Sequence, residues 1–139
     1  MSHAATYTAH ASKTTSWSGR VLDGLVILFM IFDGTIHLLT PQPVVDAFAQ
    51  LGFPLRLSVS IGILELACTA LFTIPRTSIL GALLLTGYYG GAIATQVRAE
   101  TAWFPSIFPA LMGALLWTSV ALRDSRVRAL LTGSPSHRG

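Results

Sequence analysis

One stretch decides how this chain of 139 residues folds: Ser58-Val59-Ser60-Ile61-Gly62-Ile63-Leu64-Glu65-Leu66-Ala67-Cys68-Thr69. The stretch is apolar enough to be a helix buried in lipid, except for the carboxylate of Glu65. A charged side chain at the centre of a bilayer costs about 2.5–3.5 kcal/mol on insertion scales. Such a group is protonated, paired or turned toward the interior of a helix bundle, so Glu65 requires partners from other helices.

The composition places the chain among integral membrane proteins. Hydrophobic residues make up 52%, charged residues 11%, and the mean hydropathy is +0.62, values that do not fit a soluble domain of this size. About 20 residues are needed to cross the ~30 Å hydrocarbon layer of a bilayer. Four apolar segments approach this length, at residues 21–39, 57–74, 78–97 and 107–122. The sequence therefore predicts an all-α fold, an integral membrane four-helix bundle.

The two ends of the chain are predicted to lie outside the bundle. Residues 1–18 are rich in Ala, Thr, Ser and His and carry little apolar surface, which predicts a disordered tail. Residues 19–130 form the membrane domain, and residues 131–139 form a second tail. No small-residue cleavage site follows the first apolar segment, so we expect this segment to be retained as a helix.

The distribution of basic residues predicts the orientation of the bundle. On a four-span path, seven basic residues fall on the side of both termini and two on the other side. Because basic residues concentrate in cytoplasmic loops, both termini are expected to be cytoplasmic. The net charge of +3 thus reflects topology, and no basic groove interleaved with aromatic residues indicates nucleic-acid binding. The two groups are Lys13, Arg20, Arg76, Arg123, Arg126, Arg128 and Arg138, against Arg56 and Arg98.

Residues 40–54, between the first two spans, are too polar to cross a membrane. Pro43 suits a first helical turn and Gly52 suits a helix end, which predicts a short interfacial helix. Its apolar side chains share one face: Val44, Val45, Phe48 and Leu51. The helix would either cover the mouth of the bundle above His37 or rest its apolar face among lipid headgroups.

Three ionisable residues of the first two spans are predicted to meet. Asp33 and His37 are one helical turn apart and project from one face of the first span. With a rise of about 1.5 Å per residue, Asp33 lies about 9 Å below residue 39 and Glu65 about 12 Å below residue 57. An antiparallel pair of helices therefore places the two carboxylates at similar depth.

The third span adds polar residues along one seam of its own. Tyr88, Gly91, Thr95 and Arg98 follow helical steps of three and four residues. The candidate substrate-binding residues on this seam are Tyr88, Thr95 and Arg98. Tyr88 lies deeper than an interfacial tyrosine requires, so its hydroxyl is expected to find a partner inside the bundle. Gly87 and Gly91 form a small-xxx-small pair, which favours close packing within this bundle or between copies in a homo-oligomer.

Two interpretations of Asp33, His37 and Glu65 stay open. They could simply hold the helices together, each hydrogen bond contributing about 0.6 kcal/mol. Alternatively they are catalytic: neighbouring carboxylates repel, so one holds a proton, and His37 exchanges protons with a bound quinone or other small amphiphile. A metal or haem site is disfavoured, because the spans contain no second histidine. Cys68 is the sole cysteine, which excludes an intramolecular disulfide.

Short blocks of sequence also occur in a recognisable order and spacing. They are Asp33-Gly34, Leu51-Gly52-Phe53-Pro54, Gly62-Ile63-Leu64-Glu65-Leu66, Ile74-Pro75-Arg76-Thr77 with Leu80-Gly81-Ala82, Thr86-Gly87-Tyr88-Tyr89-Gly90-Gly91-Ala92-Ile93-Ala94-Thr95, and Trp117 with Leu122-Arg123-Asp124. Over residues 20–130 the chain therefore resembles the DoxX-like family of bacterial four-span membrane proteins. In one departure, Gln96 stands where many relatives have histidine just before the arginine that closes the third span.

The resemblance implies a small bacterial inner-membrane protein with redox partners. The name-giving relatives are subunits of a thiosulfate:quinone oxidoreductase, and others are linked to membrane thiol and oxidative-stress systems, which by analogy suggests a quinone as cofactor. The chain has no dinucleotide fingerprint, P-loop or Cys-x-x-Cys pair, so a partner or bound cofactor would carry electrons. The alternatives are an intramembrane acid/base enzyme, such as an isomerase of a lipophilic substrate, and a small permease, which four spans would form only by oligomerising.

Overall fold

The computed structural model describes the backbone of residues 3–133 and the side chains of residues 17–130 and 133. Over this part of the chain the fold consists of six helices without strands. Their bounds are α1 (His3–Leu39), α2 (Gln42–Leu51), α3 (Arg56–Thr73), α4 (Ser78–Arg98), α5 (Trp103–Arg123) and α6 (Ser125–Thr132). Trp17–Leu39 of α1 and the whole of α3, α4 and α5 are long and apolar enough to cross a membrane. The predicted all-α bundle of four spans is confirmed.

The four long helices form a closed ring in which each packs on two others. α1 contacts α3 and α5, and α4 contacts the same two helices. Short connections make successive long helices run antiparallel. At one end of the bundle, which we call the α2 end, lie the last turns of α1 and α4 and the first turns of α3 and α5. At the opposite end, which we call the α6 end, lie the last turns of α3 and α5.

The inside and the outside of the ring are both largely apolar. Met30, Phe72, Leu85 and Leu116 are buried at its centre. Many large apolar side chains also point outward, among them Leu28, Leu64, Leu83 and Leu111. A surface of this kind is stable in lipid and unstable in water, so the chain is a multi-pass membrane protein.

The predicted short helix after the first span is present as α2. Pro43 lies in its first turn, and Gly52 ends it in the left-handed conformation at φ 72°. The N–H groups of Gly52 and Phe53 donate to the carbonyls of Ala49 and Phe48 at 3.1 and 2.9 Å, which satisfies the end of the helix. Val44 and Phe48 are buried, so the apolar face of α2 packs on the bundle.

Two close contacts between helices require glycine, at Gly62 and at Gly81. A Cβ atom at Gly62 of α3 would lie 2.7 Å from the carbonyl oxygen of Gly34 in α1, and one at Gly81 would lie 2.3 Å from the backbone nitrogen of Phe72. Real Cβ atoms do not approach other atoms so closely, so each site requires glycine. The contact between Gly34 and Gly62 brings α1 and α3 together next to Asp33 and Glu65.

Two helix starts differ from the sequence expectation. α5 begins at Trp103, four residues before the expected position, because Pro105 is tolerated in a first turn whose N–H groups need no partner in the helix. α1 begins at His3, so residues 3–18, expected to form a disordered tail, are helical; alanine in this segment favours a helix. The division into tails and a membrane domain stays a prediction, and residues 134–139 of the second tail lie outside the described part of the chain.

Candidate functional site

Asp33, His37 and Glu65 meet between α1 and α3. The Nδ1 atom of His37 lies 3.8 Å from Oδ2 of Asp33 and 3.7 Å from Oε2 of Glu65. One donor atom from each of the three residues falls within 4.8 Å of the other two. The predicted meeting of the two carboxylates at one depth is therefore confirmed. Their roles in catalysis stay predictions.

Tyr88 of α4 completes this group. Its hydroxyl donates to Oε2 of Glu65 at 2.9 Å, which is the interior partner that the sequence predicted for it. Glu65 has no exposed surface, and its second oxygen, Oε1, has no hydrogen-bond partner among the described residues. We refer to Asp33, His37, Glu65 and Tyr88 as the histidine cluster.

Local backbone contacts fix the position of His37. Its Nδ1–H donates to the carbonyl oxygen of Asp33 at 3.0 Å, one turn earlier in α1. The carbonyl of His37 itself accepts a hydrogen bond from Ser58 Oγ at 2.8 Å, which ties the end of α1 to the start of α3. The His37 ring also packs edge to face on Phe48 of α2. The imidazole is thus held between three helices and has little freedom to turn away from the carboxylates.

A cavity of about 580 Å³ lies on one side of the histidine cluster. His37 and Tyr88 form part of its wall, and α2 closes it toward the α2 end with Phe48 and Leu51. Leu64 and Leu84 also line it, although 54% and 44% of their surface is exposed on the outside of the bundle. The cavity therefore opens sideways, between α3 and α4, toward the lipid. We refer to it as the lipid-facing cavity.

A second cavity, of about 310 Å³, lies on the other side of the cluster, between α1, α4 and α5. Asp33, Tyr88 and Gln96 belong to its wall, together with aromatic residues such as Phe104 and Phe108. Tyr88 and Gln96 line both cavities. The histidine cluster is consequently reachable from two sides.

The two other residues predicted to bind substrate occupy different places. Thr95 lines the lipid-facing cavity, with its hydroxyl donating to the Gly91 carbonyl at 2.8 Å. Arg98 lies outside the cavity lining: its Nη2 donates to the carbonyl of Leu51 at 2.8 Å, and its guanidinium lies 5.5 Å from the ring centre of Phe53. Arg98 thus fastens the end of α2 to the end of α4.

The glycine pair of α4 does not serve close packing within this bundle. A Cβ atom at Gly87 or Gly91 would meet nothing within 4 Å, and both residues line the lipid-facing cavity. Packing within the bundle was therefore the wrong interpretation of this pair; contact between copies stays a prediction. The small side chains leave room beside Tyr88, and this role was not visible in the spacing alone.

Sequence reasoning also missed a second buried polar group, at the α6 end. Arg123 Nη1 pairs with Asp23 Oδ2 at 2.9 Å, and Ser119 Oγ donates to Asp23 Oδ1 at 2.7 Å. The Arg123 guanidinium also donates to Ser78 Oγ and lies over the ring of Phe72. We refer to Asp23, Ser78, Ser119 and Arg123 as the arginine cluster. The Asp23 carboxylate pairs with a guanidinium and accepts a hydrogen bond from a hydroxyl. The arginine cluster therefore holds α1, α4 and α5 together.

Comparison with known proteins agrees with this architecture. The model of the DoxX-like family matches residues 21–119, which include the four long helices almost entirely and all of the histidine cluster. The chain belongs to the DoxX-like family. No curated protein and no solved structure matches it.

Proposed function

We propose that this DoxX-like protein is a subunit of a quinone-linked redox system in the bacterial inner membrane, and that the lipid-facing cavity binds the quinone head group. The observation that carries the proposal is the position of His37 and Tyr88 in the wall of an apolar cavity that opens toward lipid. Quinones dissolve in the bilayer, so they would enter between α3 and α4 without crossing water.

The groups along the cavity suit the chemistry of a quinone. Reduction to the quinol adds two electrons and two protons, and the protons attach to the two carbonyl oxygens. Tyr88 would donate to such an oxygen by turning its hydroxyl away from Glu65. His37 would donate from Nε2 when a second proton is on the ring, since its Nδ1–H is held by the Asp33 carbonyl. Asp33 and Glu65 lie beside His37 and would act as the proton store. The electrons come from a thiol or thiosulfate oxidised by a partner protein or its cofactor, because this chain has a single cysteine.

Filling the cavity tests the proposal. A ligand that binds only the folded protein raises its stability, by about 2.7 kcal/mol at one hundred times its Kd. A short-chain ubiquinone should therefore stabilise the purified protein in a thermal-unfolding assay. Gly91→Leu should abolish this gain, because the new side chain extends into the cavity. Gly90→Leu is the matched control, since Gly90 also has open space but does not line the cavity. Equal stabilisation of both variants would contradict the proposed quinone site.

A second candidate is an intramembrane acid/base enzyme, such as an isomerase of a lipophilic substrate. It is favoured by the direct hydrogen bond between Tyr88 and Glu65 beside the same cavity, which places a proton donor and an acceptor together. The two candidates differ in electron flow. Membranes from cells that lack the protein should lose thiosulfate- or thiol-driven quinone reduction if it is a redox subunit, and keep it if it is an isomerase.

For the orientation, we propose that the α6 end and both termini face the cytoplasm. Four spans bring the termini to one side, and the seven-to-two distribution of basic residues supports that side being cytoplasmic. Reporter fusions at Gly139 and near Gln50 measure this directly. An external signal from Gly139 would reverse the orientation.

A further inference from the structure

We propose that Asp33, His37 and Glu65 form a binding site for one divalent first-row transition-metal ion, such as Zn²⁺ or Mn²⁺. The site goes beyond the proposed quinone function and does not depend on it, and in the metal-bound state the two carboxylates would hold the ion instead of protons. It arises from two helices, since α1 supplies Asp33 and His37 and α3 supplies Glu65. Sequence reasoning disfavoured a metal because it counted histidines and cysteines, whereas carboxylates serve equally well for harder divalent ions.

The distances between the donor atoms suit a metal ion. With bonds of about 2.1 Å and angles between tetrahedral and trigonal, ligand atoms lie about 3.4–3.6 Å apart. The Nδ1 atom of His37 is 3.8 Å from Asp33 Oδ2 and 3.7 Å from Glu65 Oε2. The two distances from His37 need a contraction of a few tenths of an ångström, and the two carboxylates, within 4.8 Å of each other, need to approach by up to about 1.2 Å, which rotation of the Asp33 and Glu65 side chains can supply.

The charge of the cluster also favours a divalent cation. The carboxylates of Asp33 and Glu65 lie within 4.8 Å of one imidazole nitrogen. Among the described residues, His37 is the one ion-pair partner of either carboxylate. Two ionised carboxylates without a cation are costly in a membrane interior. One divalent ion neutralises them completely. A proton shared between the carboxyl groups would remove one of the two negative charges, so it is the alternative that the metal titration must exclude.

An independent observation is the orphaned oxygen of Glu65. This side chain is completely buried and directed at His37, yet its Oε1 atom has no hydrogen-bond partner among the described residues. A buried polar atom without a partner costs about 1–3 kcal/mol. A metal bond that involves Oε1, alone or together with Oε2, would offset that cost. Tyr88, which donates to Oε2, would hold the carboxylate in the orientation that the ion needs.

Metal binding requires changes of protonation and of ring orientation. The Nδ1 atom of His37 donates its proton to the Asp33 carbonyl, so this proton must leave and the ring must turn until the lone pair of Nδ1 is directed at the ion. A proton held by either carboxyl group must leave as well. Three protein ligands leave a fourth position of a tetrahedral ion open. His37 borders the lipid-facing cavity and Asp33 borders the second cavity, so a further ligand of the ion would come from one of these two cavities.

The experiment uses the full-length protein without an affinity tag, purified in detergent and stripped with a chelator. His3, His10 and His137 are replaced by alanine in every sample, so that the histidines outside the spans cannot bind the metal. Zn²⁺ or Mn²⁺ is then titrated, and the bound metal is measured by mass spectrometry after desalting. We expect about one ion per chain and a rise in the unfolding temperature.

Substitutions at the site decide the outcome. Asp33→Asn, His37→Phe and Glu65→Gln should each weaken binding at least tenfold, whereas Asp46→Asn, which changes an exposed carboxylate on α2, should leave it unchanged. Absence of binding at micromolar metal would overturn the proposal, as would binding that survives all three site substitutions. Neither result bears on the proposed quinone site, which is tested separately by quinone-dependent stabilisation of the protein with an unaltered cluster and without added metal. Loss of quinone binding with metal binding retained would instead contradict the proposed function alone.

Discussion

The two buried polar clusters of this bundle differ in how their charges are balanced. In the arginine cluster, Asp23 has a guanidinium at 2.9 Å and a hydroxyl donor at 2.7 Å, so its charge and its lone pairs have partners. In the histidine cluster, two carboxylates share one imidazole, and Glu65 Oε1 has no hydrogen-bond partner in the described part of the chain. The first arrangement is complete within the protein, and the second is not.

We expect this difference to separate a stabilising cluster from a functional one. A carboxylate that is fully paired contributes to holding helices together, and removing its partner leaves a buried charge. A carboxylate that lacks partners contributes little to stability, and it persists where it binds a ligand or moves protons. The arginine cluster borders neither cavity, whereas all members of the histidine cluster except Glu65 line at least one. The contrast can be tested by removing one charged group from each cluster.

The largest effect is expected for Arg123→Met. The substitution keeps an apolar side chain over Phe72 but leaves Asp23 buried without its cation. Breaking a buried pair costs about 3–5 kcal/mol, and we expect about 3 kcal/mol because Arg123 is partly exposed. Denaturant-induced unfolding of the purified protein measures this loss of stability. Arg126→Met, on the exposed surface of α6, is the control and should change stability by less than about 0.5 kcal/mol. Similar stability of the two variants would remove the arginine cluster as a stabilising element.

An intermediate effect is expected for Gly62→Ala. The added methyl group would lie 2.7 Å from the Gly34 carbonyl, so α1 and α3 must separate beside the histidine cluster. Overpacking of this kind costs about 1–3 kcal/mol. Gly90→Ala, in open space on α4, should instead stabilise the protein by up to about 1 kcal/mol, because alanine favours a helix. If both substitutions stabilised the protein, the close contact of α1 and α3 would be refuted.

The smallest effect on stability, but the largest on function, is expected at Glu65. Because one of its oxygens lacks a partner, Glu65→Leu should change the free energy of unfolding by less than about 1 kcal/mol. Glu65→Gln keeps the shape but cannot exchange a proton, so it should abolish the cellular phenotype or quinone-dependent stabilisation while leaving the fold intact. A fully active Glu65→Gln protein would show that Glu65 does not exchange protons, and severe unfolding of Glu65→Leu would make the cluster a structural clasp.

The sequence was sufficient to predict the histidine cluster because helical geometry relates residues to depth. Asp33 and His37 had to share a face, and counting residues from the helix ends brought Glu65 to the same level. The seam of α4 likewise identified Tyr88 and Thr95. The amphipathic pattern between Pro43 and Gly52 was enough to predict the helix α2.

The sequence was not sufficient to predict contacts that depend on which helices pack against each other and through which faces. Asp23 and Arg123 are at opposite ends of the chain, and their pairing requires α1 and α5 to be neighbours in the ring. Four helices can be arranged in several ways without changing their individual patterns. The same reason explains the glycines: Gly34 and Gly62 mark a close contact, whereas the more conspicuous pair Gly87 and Gly91 borders a cavity. Arg98 has a long side chain, so its position on the seam did not determine what its guanidinium contacts.

The depth of Asp33 has an electrical consequence. A charge that reaches the histidine cluster from the α2 end travels about 9 Å, roughly a third of the ~30 Å hydrocarbon thickness. A full crossing by one charge is worth about 2.3 kcal/mol at 100 mV, so this partial crossing is worth about 0.8 kcal/mol. The membrane potential would therefore change the occupancy of a singly charged ligand at the cluster by about fourfold, in the direction set by the orientation of the bundle. Proton or ion binding at this depth would be voltage-sensitive, although no charge would cross the whole membrane.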